Sequence, residues 1–214
     1  MKQQVSGLYA IIDPEACRGR DPVWVAGRAI EGGAAAIQWR DKRARRPEHM
    51  ATARRVRELC RERGAIFIAN DDPKLAVDLD ADGVHLGQRD VPIDEARPIV
   101  GPDRIIGVST NNVQEALAAQ EAGADYVAVG SIFPTATKLD TRSANLERLR
   151  QVEIAVHVPV VAIGGINASN ISAVVDAGAQ AAAVISAVCG AEDPAAAARE
   201  LSAAFGAVRR FGNR

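Results

Sequence analysis

Short apolar runs alternate with polar and glycine-rich segments along most of this chain. Most of the runs are continuously apolar, which is typical of strands in a parallel sheet that is covered on both faces. Such runs predict strands at residues 8–12, 35–39, 66–69, 83–85, 105–108, 126–129, 160–163 and 181–185.

The segments between these runs have the pattern of helices. Helices are predicted at residues 23–30, 47–62, 112–122, 170–177 and 194–207. Asp193 precedes Pro194, which is the arrangement of an N-cap followed by proline in the first turn. Glycines at 32–33, 64, 123 and 178 each follow a helical segment and precede a strand, where a left-handed glycine ends a helix.

This repeated unit of strand, loop, helix and glycine indicates an α/β fold. A single (β/α)8 TIM barrel spanning residues 1–214 as one catalytic domain accounts for the repeats. A doubly wound open sheet shares the same alternation and is the second choice. Eight evenly spaced runs in 214 residues favour the barrel.

The composition argues against several classes of protein. The formal net charge of −1 offers no general basic surface for nucleic acid, and 48% hydrophobic residues suit one compact soluble domain. No apolar stretch has the roughly 20 residues needed to cross a bilayer. Residues 1–7 lack the pattern of a signal peptide, so we expect a cytoplasmic protein with no membrane partner. The three cysteines have no CxxC spacing and predict neither disulfides nor a zinc site.

Polar residues directly follow nearly every apolar run. In a TIM barrel these positions lie on the rim at the carboxyl ends of the strands, where the active site forms. They comprise residues 38–42, 70–72, 87–90, 109–112, 135–138, 164–167 and Ser186.

The rim combines cations with carboxylates, as a polyphosphate site requires. Arg40 can chelate phosphate oxygens, while Lys42 and Lys138 act as point charges. Asp71 and Asp90 suit Mg²⁺, which binds one or two carboxylates together with substrate phosphates. Backbone amides at Gly164–Gly165 and the Ser186 hydroxyl predict a second anion site.

Each of these signals has an ordinary structural explanation when taken alone. Residues 40–46 have the composition of a solvated basic loop, and Gly-Gly pairs commonly form tight turns. His85 lies inside an apolar run without a second histidine at metal-binding spacing, so we expect a histidine of the barrel interior. The gathering of many polar clusters at strand ends is what favours a site.

From Leu8 to about Pro194 the chain closely resembles the thiamine-phosphate synthase family. The segments that carry the resemblance are, in order, QWRDK, NDDPKLA, ADGVHLGQRDVP, GVSTNN, ADYVAVGSIFPTATK, VVAIGGIN and VISAV. The combination of GVHLGQRD with FPTATK and AIGGIN is highly specific. The resemblance implies a (β/α)8 enzyme that uses Mg²⁺ to join 4-amino-2-methyl-5-hydroxymethylpyrimidine diphosphate to hydroxyethylthiazole phosphate or its carboxylated form.

The resemblance also implies the roles of individual residues. Diphosphate departs, and the thiazole nitrogen captures the pyrimidine carbocation that remains. Catalysis would rest on Arg40, Lys42, Lys138 and Ser109, and the metal on Asp71 and Asp90. The pyrimidine diphosphate would contact Gln38, Trp39, Arg40, Asp41, Lys42, Asn70, Ser109 and Lys138, and the thiazole phosphate would contact Thr135, Ala136, Thr137, Gly165, Ile185 and Ser186.

Three positions depart from the expected family pattern: Trp39, Asp72 and Asn111. None removes a charge named above, although Asp72 adds negative charge beside Asp71. Two other functions stay open. A related thiazole tautomerase has a histidine after the glycine of the sixth strand, where this chain has Ser131, and a phosphate-binding barrel without catalysis would have the same rim. A homo-oligomer is also left open.

Overall fold

The computed structural model describes residues 3–41, 43, 45–135 and 143–211. Eight parallel strands form a closed barrel in the order β1 to β8, and β8 pairs with β1. The strands are β1 (Gly7–Ile12), β2 (Ala34–Trp39), β3 (Ile66–Asn70), β4 (Gly83–Leu86), β5 (Ile105–Thr110), β6 (Tyr126–Val129), β7 (Val160–Ile163) and β8 (Ala181–Val184). The predicted TIM barrel is confirmed, and the open sheet is excluded because the strands close into a ring.

Apolar side chains form two separate layers. One cluster fills the interior of the barrel and includes Tyr9, Ile68 and Tyr126. The larger cluster lies between the strands and the surrounding helices. Successive residues of a strand face opposite sides of the barrel wall. Each strand therefore contributes side chains to both layers, and its sequence is a continuous apolar run.

Nine helices occur among the described residues. They are α1 (Pro22–Glu31), α2 (Pro47–Arg63), α3 (Pro73–Asp78), α4 (Ile93–Val100), α5 (Val113–Glu121), α6 (Leu146–Ala155), α7 (Ile171–Asp176), α8 (Ser186–Cys189) and α9 (Pro194–Phe211). The five predicted helices are confirmed, and α9 extends to Phe211 beyond the predicted end. Across the described ranges, no helix combines the length and apolar character of a membrane span.

Helices begin and end at capping residues that the sequence indicates. Asp193 accepts hydrogen bonds from the backbone N–H groups of Ala195 at 2.9 Å and Ala196 at 3.2 Å, so it caps α9. Gly64, Gly123 and Gly178 have φ of 70°, 94° and 95°, which is the left-handed conformation that turns the chain back toward the next strand.

Gly107 on β5 leaves room for a tyrosine inside the barrel. A Cβ atom at Gly107 would lie 1.9 Å from Cζ of Tyr126, which belongs to the paired strand β6. Because both residues are fixed by barrel hydrogen bonds, the ring has no simple way to move aside. Glycine at this position is therefore a packing requirement rather than a conformational one.

We predict that Gly107→Ala lowers the free energy of unfolding by about 3 kcal/mol or more, since overpacking of a closed core typically costs 1–3 kcal/mol and here displaces a whole ring. Gly206→Ala is the matched control, because a Cβ at Gly206 in α9 meets nothing within 4 Å. It should be neutral or slightly stabilising. Urea denaturation of both variants measures the difference, and equal stability of the two would contradict this packing.

Candidate functional site

Two cavities lie at the carboxyl ends of the strands, and Arg40 lines both. The larger, of about 520 Å³, lies over β2 and β3 and is lined by Arg40, Asp41, Arg43, Arg45, Arg46, Asn70, Asp71, Asp72 and Leu75. The smaller, of about 230 Å³, lies over β8 and β1 and is lined by Asp13, Glu15, Ala16, Arg18, Arg40, Ser186 and Gly190. Predicted residues from β2, β3 and β8 thus meet around one guanidinium.

Arg40 is held in place by a buried carboxylate. Nη1 of Arg40 donates to Oδ2 of Asp13, and the Arg40 backbone N–H donates to the Ile12 carbonyl at 3.0 Å. Asp13 is only 6% exposed, and its other oxygen accepts from the backbone N–H of Glu15 at 2.9 Å. Asp13 was not among the predicted site residues. It directly follows β1, so the pattern of polar residues at strand ends marks it as well.

A second arginine fixes the walls of the smaller cavity. The Arg20 guanidinium donates to the carbonyl oxygens of Cys17 at 3.1 Å, Ala191 at 2.5 Å and Cys189. These bonds tie the loop after β1 to the segment around α8. The cavity that contains Ser186 therefore lies between two segments that are bonded to each other, the loop after β1 and the start of α8.

Asp71 and Asp90 come from the loops after two neighbouring strands. The backbone N–H of Asp71 donates to the His85 carbonyl at 2.7 Å, and Asp71 has a φ of 65°. Oδ2 of Asp90 accepts from the backbone N–H of Gly87 at 2.6 Å, which folds the loop after β4 back on itself. Both carboxylates thus belong to tightly fixed loops at the same end of the barrel.

The donor set fits magnesium that is shared with a substrate. Two carboxylates supply hard oxygen ligands, and Mg²⁺ commonly keeps waters and phosphate oxygens in its remaining positions. In the part of the chain that the structure describes, no three His, Cys, Asp or Glu side chains gather into a metal-binding group. Asp71 and Asp90 would therefore suit a metal that also binds the diphosphate, rather than a metal enclosed by protein.

Asp72, which departs from the expected family pattern and adds negative charge beside Asp71, has hydrogen-bond partners nearby. Its Oδ1 caps α3 through the backbone N–H groups of Lys74 at 2.8 Å and Leu75 at 3.1 Å. Its Oδ2 accepts from Nε and Nη2 of Arg45 at 2.9 and 2.7 Å. Burial raises the pKa of Asp72, but Arg45 and the capping bonds outweigh it and lower the pKa overall. The added charge is thus balanced by Arg45.

A chain of hydrogen bonds crosses the barrel interior between two predicted site residues. Nε2 of Gln38 donates to the Tyr9 hydroxyl at 2.8 Å, and the Tyr9 and Tyr126 hydroxyls are 3.1 Å apart. The Tyr126 hydroxyl lies 2.9 Å from Nδ1 of His85, and Nε2 of His85 lies 2.9 Å from Oγ of Ser109. The prediction that His85 belongs to the barrel interior is confirmed, since it is 8% exposed and bonded at both ring nitrogens.

The two tyrosines in this chain keep their protons. Both are completely buried, and burial raises the pKa of Tyr9 and of Tyr126 well above the ordinary tyrosine value. The rings also pack on one another and on the histidine, with Tyr9 edge-on to Tyr126 and His85 stacked on Tyr126 at a centroid distance of 5.6 Å. Sequence reasoning missed both tyrosines, although they are the only two in the chain and both lie in predicted strands.

The loops after β6 and β7 pack directly against each other. The backbone N–H groups of Ile132 and Phe133 donate to the carbonyls of Ile163 and Gly164, both at 3.0 Å. Gly165 has a φ of 65°, and a Cβ there would lie 2.5 Å from the Pro134 carbonyl oxygen. The predicted Gly-Gly turn is therefore what allows the loop containing Thr135 to approach the seventh strand.

Seven of the predicted site residues divide into three groups, whereas Asp90, Thr135, Gly165 and Ile185 line neither cavity. Arg40, Asp41, Asn70 and Asp71 line the larger cavity, Ser186 lines the smaller one, and Gln38 and Ser109 end the internal chain. Trp39 is not brought to the rim, because its side chain is 1% exposed and packs in the layer between strands and helices. The predictions for Lys42, Ala136, Thr137 and Lys138 lie outside the described residues.

Several polar side chains near the rim have structural roles. One Asp41 oxygen accepts from the backbone N–H of Arg43 at 2.8 Å, and the other bonds Nδ1 of His49. Asn111 donates to the Gly130 carbonyl at 3.1 Å and accepts from Arg148 at 2.9 Å. These bonds hold the loops after β2, β5 and β6 in place.

Comparisons with known proteins agree with this geometry. Residues 8–188 match the protein family described as thiamine monophosphate synthase. The thiamine-phosphate synthase of Moorella thermoacetica is 47% identical over 195 residues, which cover 91% of this chain and 93% of that protein. The thiamine biosynthesis bifunctional protein ThiED of Geobacter sulfurreducens is 49% identical over 201 residues, but the chain spans only 40% of that longer protein.

A solved structure shows the same relationship. The thiamine phosphate pyrophosphorylase from Pyrococcus furiosus superposes with a TM-score of 0.87 at 43% sequence identity, covering 94% of this chain and 96% of that one. Because the sequence identity is this high over nearly the whole barrel, this chain has the activity of these relatives. It is a transferase in thiamine biosynthesis. The chain belongs to the thiamine monophosphate synthase family.

Proposed function

We propose that the two cavities bind the two substrates of thiamine phosphate synthesis and that Arg40 acts between them. The larger cavity would take the diphosphate of 4-amino-2-methyl-5-hydroxymethylpyrimidine diphosphate, near Asn70 and Asp71. The smaller cavity, with Ser186, would take the phosphate of hydroxyethylthiazole or of its carboxylated form. The observation that carries the proposal is the position of Arg40 in the walls of both cavities.

The reaction transfers a pyrimidine group from oxygen to nitrogen. The bond between the pyrimidine methylene carbon and the diphosphate oxygen breaks, and the thiazole nitrogen then captures the resulting carbocation. Negative charge develops on the departing diphosphate, so fixed positive charge beside it lowers the barrier. Arg40 supplies such a charge, and its bond to buried Asp13 keeps it oriented before substrate arrives. This mechanism needs no nucleophilic side chain.

Other residues of the rim complete the proposed site. Lys42 and Lys138 would add positive charge around the diphosphate, and Ser109 and Gln38 would contact the pyrimidine. Thr135, Gly165, Ile185 and Ser186 would contact the thiazole phosphate. Support comes from the common location of the described members after the carboxyl ends of β2, β5, β6, β7 and β8.

Magnesium is the proposed cofactor, held by Asp71 and Asp90. When bound, it would neutralise part of the charge on the departing diphosphate. The fixed loops after β3 and β4 support this assignment, since a bond from its backbone N–H holds Asp71 and the Gly87 N–H holds the Asp90 carboxylate.

The tautomerase alternative is disfavoured by the position where that relative has histidine. Ser131 is 7% exposed, and its hydroxyl donates to the Phe133 carbonyl at 2.7 Å. The hydroxyl is therefore occupied by its own loop, and serine is a poor proton acceptor near neutral pH. Transfer with release of diphosphate is the function that the rim supports best.

The direct test is an omission assay. Purified protein supplied with both substrates and Mg²⁺ should release diphosphate and form thiamine phosphate in equal amounts. Leaving out either organic substrate should abolish thiamine phosphate formation. Diphosphate release at the full rate without the thiazole phosphate would contradict transfer and would indicate a hydrolase.

A second prediction concerns the metal. Asp90→Asn should raise the Mg²⁺ concentration needed for half-maximal activity by on the order of tenfold or more, because the variant loses a charged oxygen ligand. Asp103→Asn is the matched control, since Asp103 is exposed and precedes β5 at the opposite end of the barrel. Titration of activity with Mg²⁺ compares them, and equal requirements would remove Asp90 from the metal site.

A further inference from the structure

The smaller cavity has two cations in its walls, and they differ in how they are bonded. Arg40 is tied to the carboxylate of buried Asp13. Arg18 is exposed, and within the described ranges its guanidinium has no hydrogen-bond or ion-pair partner, although Glu15 lines the same cavity. All of the N–H donors of Arg18 are therefore available to a ligand.

The loop after β1 presents Arg18 from a fixed backbone. Arg18 has a φ of 54° and the following Gly19 has a φ of 80°, so two consecutive left-handed residues turn the chain here. This conformation is uncommon for a residue such as arginine. The turn is held by the carbonyl of buried Cys17, which accepts from the backbone N–H and from Nε of Arg20, both at 3.1 Å.

The Arg18 guanidinium lies against the backbone of Gly190 on the opposite wall. A Cβ atom at Gly190 would lie 3.5 Å from Nη2 and 3.6 Å from Cζ of Arg18. The Gly190 N–H donates to the Ser186 carbonyl at 2.9 Å, so Gly190 ends the single turn of α8 that Ser186 begins. Arg18 and Ser186 therefore face the cavity from opposite ends of α8, and together they offer two separate places for anionic groups.

The two forms of the thiazole substrate differ by one anionic group. Both have a phosphate on the ethyl arm, and the carboxylated form has a carboxylate on the ring as well. A guanidinium binds a carboxylate best through two parallel N–H donors, which requires a guanidinium that is not already paired. Arg18 meets this requirement, whereas Arg40 is bonded to Asp13.

We propose that Arg18 binds the ring carboxylate of the carboxylated thiazole phosphate and makes this form the preferred substrate. The inference rests on the proposed function, which places the phosphate beside Ser186. Glu15 strengthens the argument, because its charge repels a second anion that has no cation of its own in this cavity. Arg18 is then the residue that makes the carboxylated form acceptable.

The experiment measures dissociation constants by calorimetry for hydroxyethylthiazole phosphate and for its carboxylated form. Mg²⁺ and diphosphate are present in place of the pyrimidine substrate, so that no transfer occurs. The wild-type protein should bind the carboxylated form more tightly by roughly 5- to 10-fold at low salt, as expected for an arginine–carboxylate pair at an exposed site. This preference should decrease as the salt concentration rises.

Two variants of Arg18 test its role. Arg18→Gln keeps a long polar side chain but removes the charge, and it should bring the ratio of the two constants to about one or reverse it. Arg18→Gly should do the same. Glycine suits the left-handed backbone at this position, so this variant stays informative if Arg18→Gln fails to fold.

Arg54→Gln is the matched control for loss of one positive charge. Arg54 is exposed on α2 and lines neither cavity, so this variant should keep the wild-type ratio. Glu15→Gln tests the opposite sign. It should raise the preference for the carboxylated form or leave it unchanged, and a lower preference would contradict the charge argument.

Equal weakening of both forms in the two Arg18 variants would assign Arg18 to the phosphate and overturn the inference. A wild-type protein that binds both forms equally would overturn it as well. Wild-type formation of thiamine phosphate is measured separately. Its absence would reject the proposed function, whereas its presence with an unchanged ratio in the Arg18 variants rejects only the role given to Arg18.

Discussion

Closure of the sheet between β8 and β1 is the constraint on which the rest of the molecule depends. In an open sheet with the same strand order, β8 and β2 would lie near opposite edges. Pairing of Gly7–Ala10 with 181–184 instead makes β8, β1 and β2 neighbours. Ser186, Asp13 and Arg40 share a cavity only for this reason. The same closure leaves no exposed strand edge and forces the interior to be filled by side chains.

The rim carries its charge in fixed pairs. Arg40 bonds Asp13, Arg45 bonds Asp72 and Asp78, and Asp41 bonds His49. Such pairs orient their members before substrate arrives, which is the property that makes electrostatic stabilisation effective. In the proposed function, a diphosphate with a divalent cation would then bind without large rearrangement of these side chains.

Much of the fold could be predicted because buried parallel strands have an unmistakable apolar pattern. Helices α3, α4, α6 and α8 were not predicted. Two of them are short, with 6 residues in α3 and 4 in α8, and α4 contains Pro98, which weakens its helical pattern. Trp39 was predicted to contact the pyrimidine diphosphate, but its side chain is buried between β2 and the helices. Gln38 points into the barrel, so the next residue must point out, and strand periodicity alone would have shown it.

The internal hydrogen-bond chain could not be predicted from the sequence. Tyr9, His85 and Tyr126 lie on three different strands, and their contacts depend on the stagger of the closed barrel rather than on local spacing. Gly107 gives no local sign that it makes room for Tyr126. Asp13, by contrast, directly follows β1, so the pattern of polar residues at strand ends could have identified it.

The most direct measurement is a crystal structure with Mn²⁺, diphosphate and hydroxyethylthiazole phosphate, a combination that cannot react. Mn²⁺ takes the place of Mg²⁺ because its anomalous scattering locates the ion. We predict the ion on Asp71 and Asp90, the diphosphate between the ion and Arg40, and the thiazole phosphate beside Ser186. An ion bound away from both aspartates, or a diphosphate away from Arg40, would contradict the account.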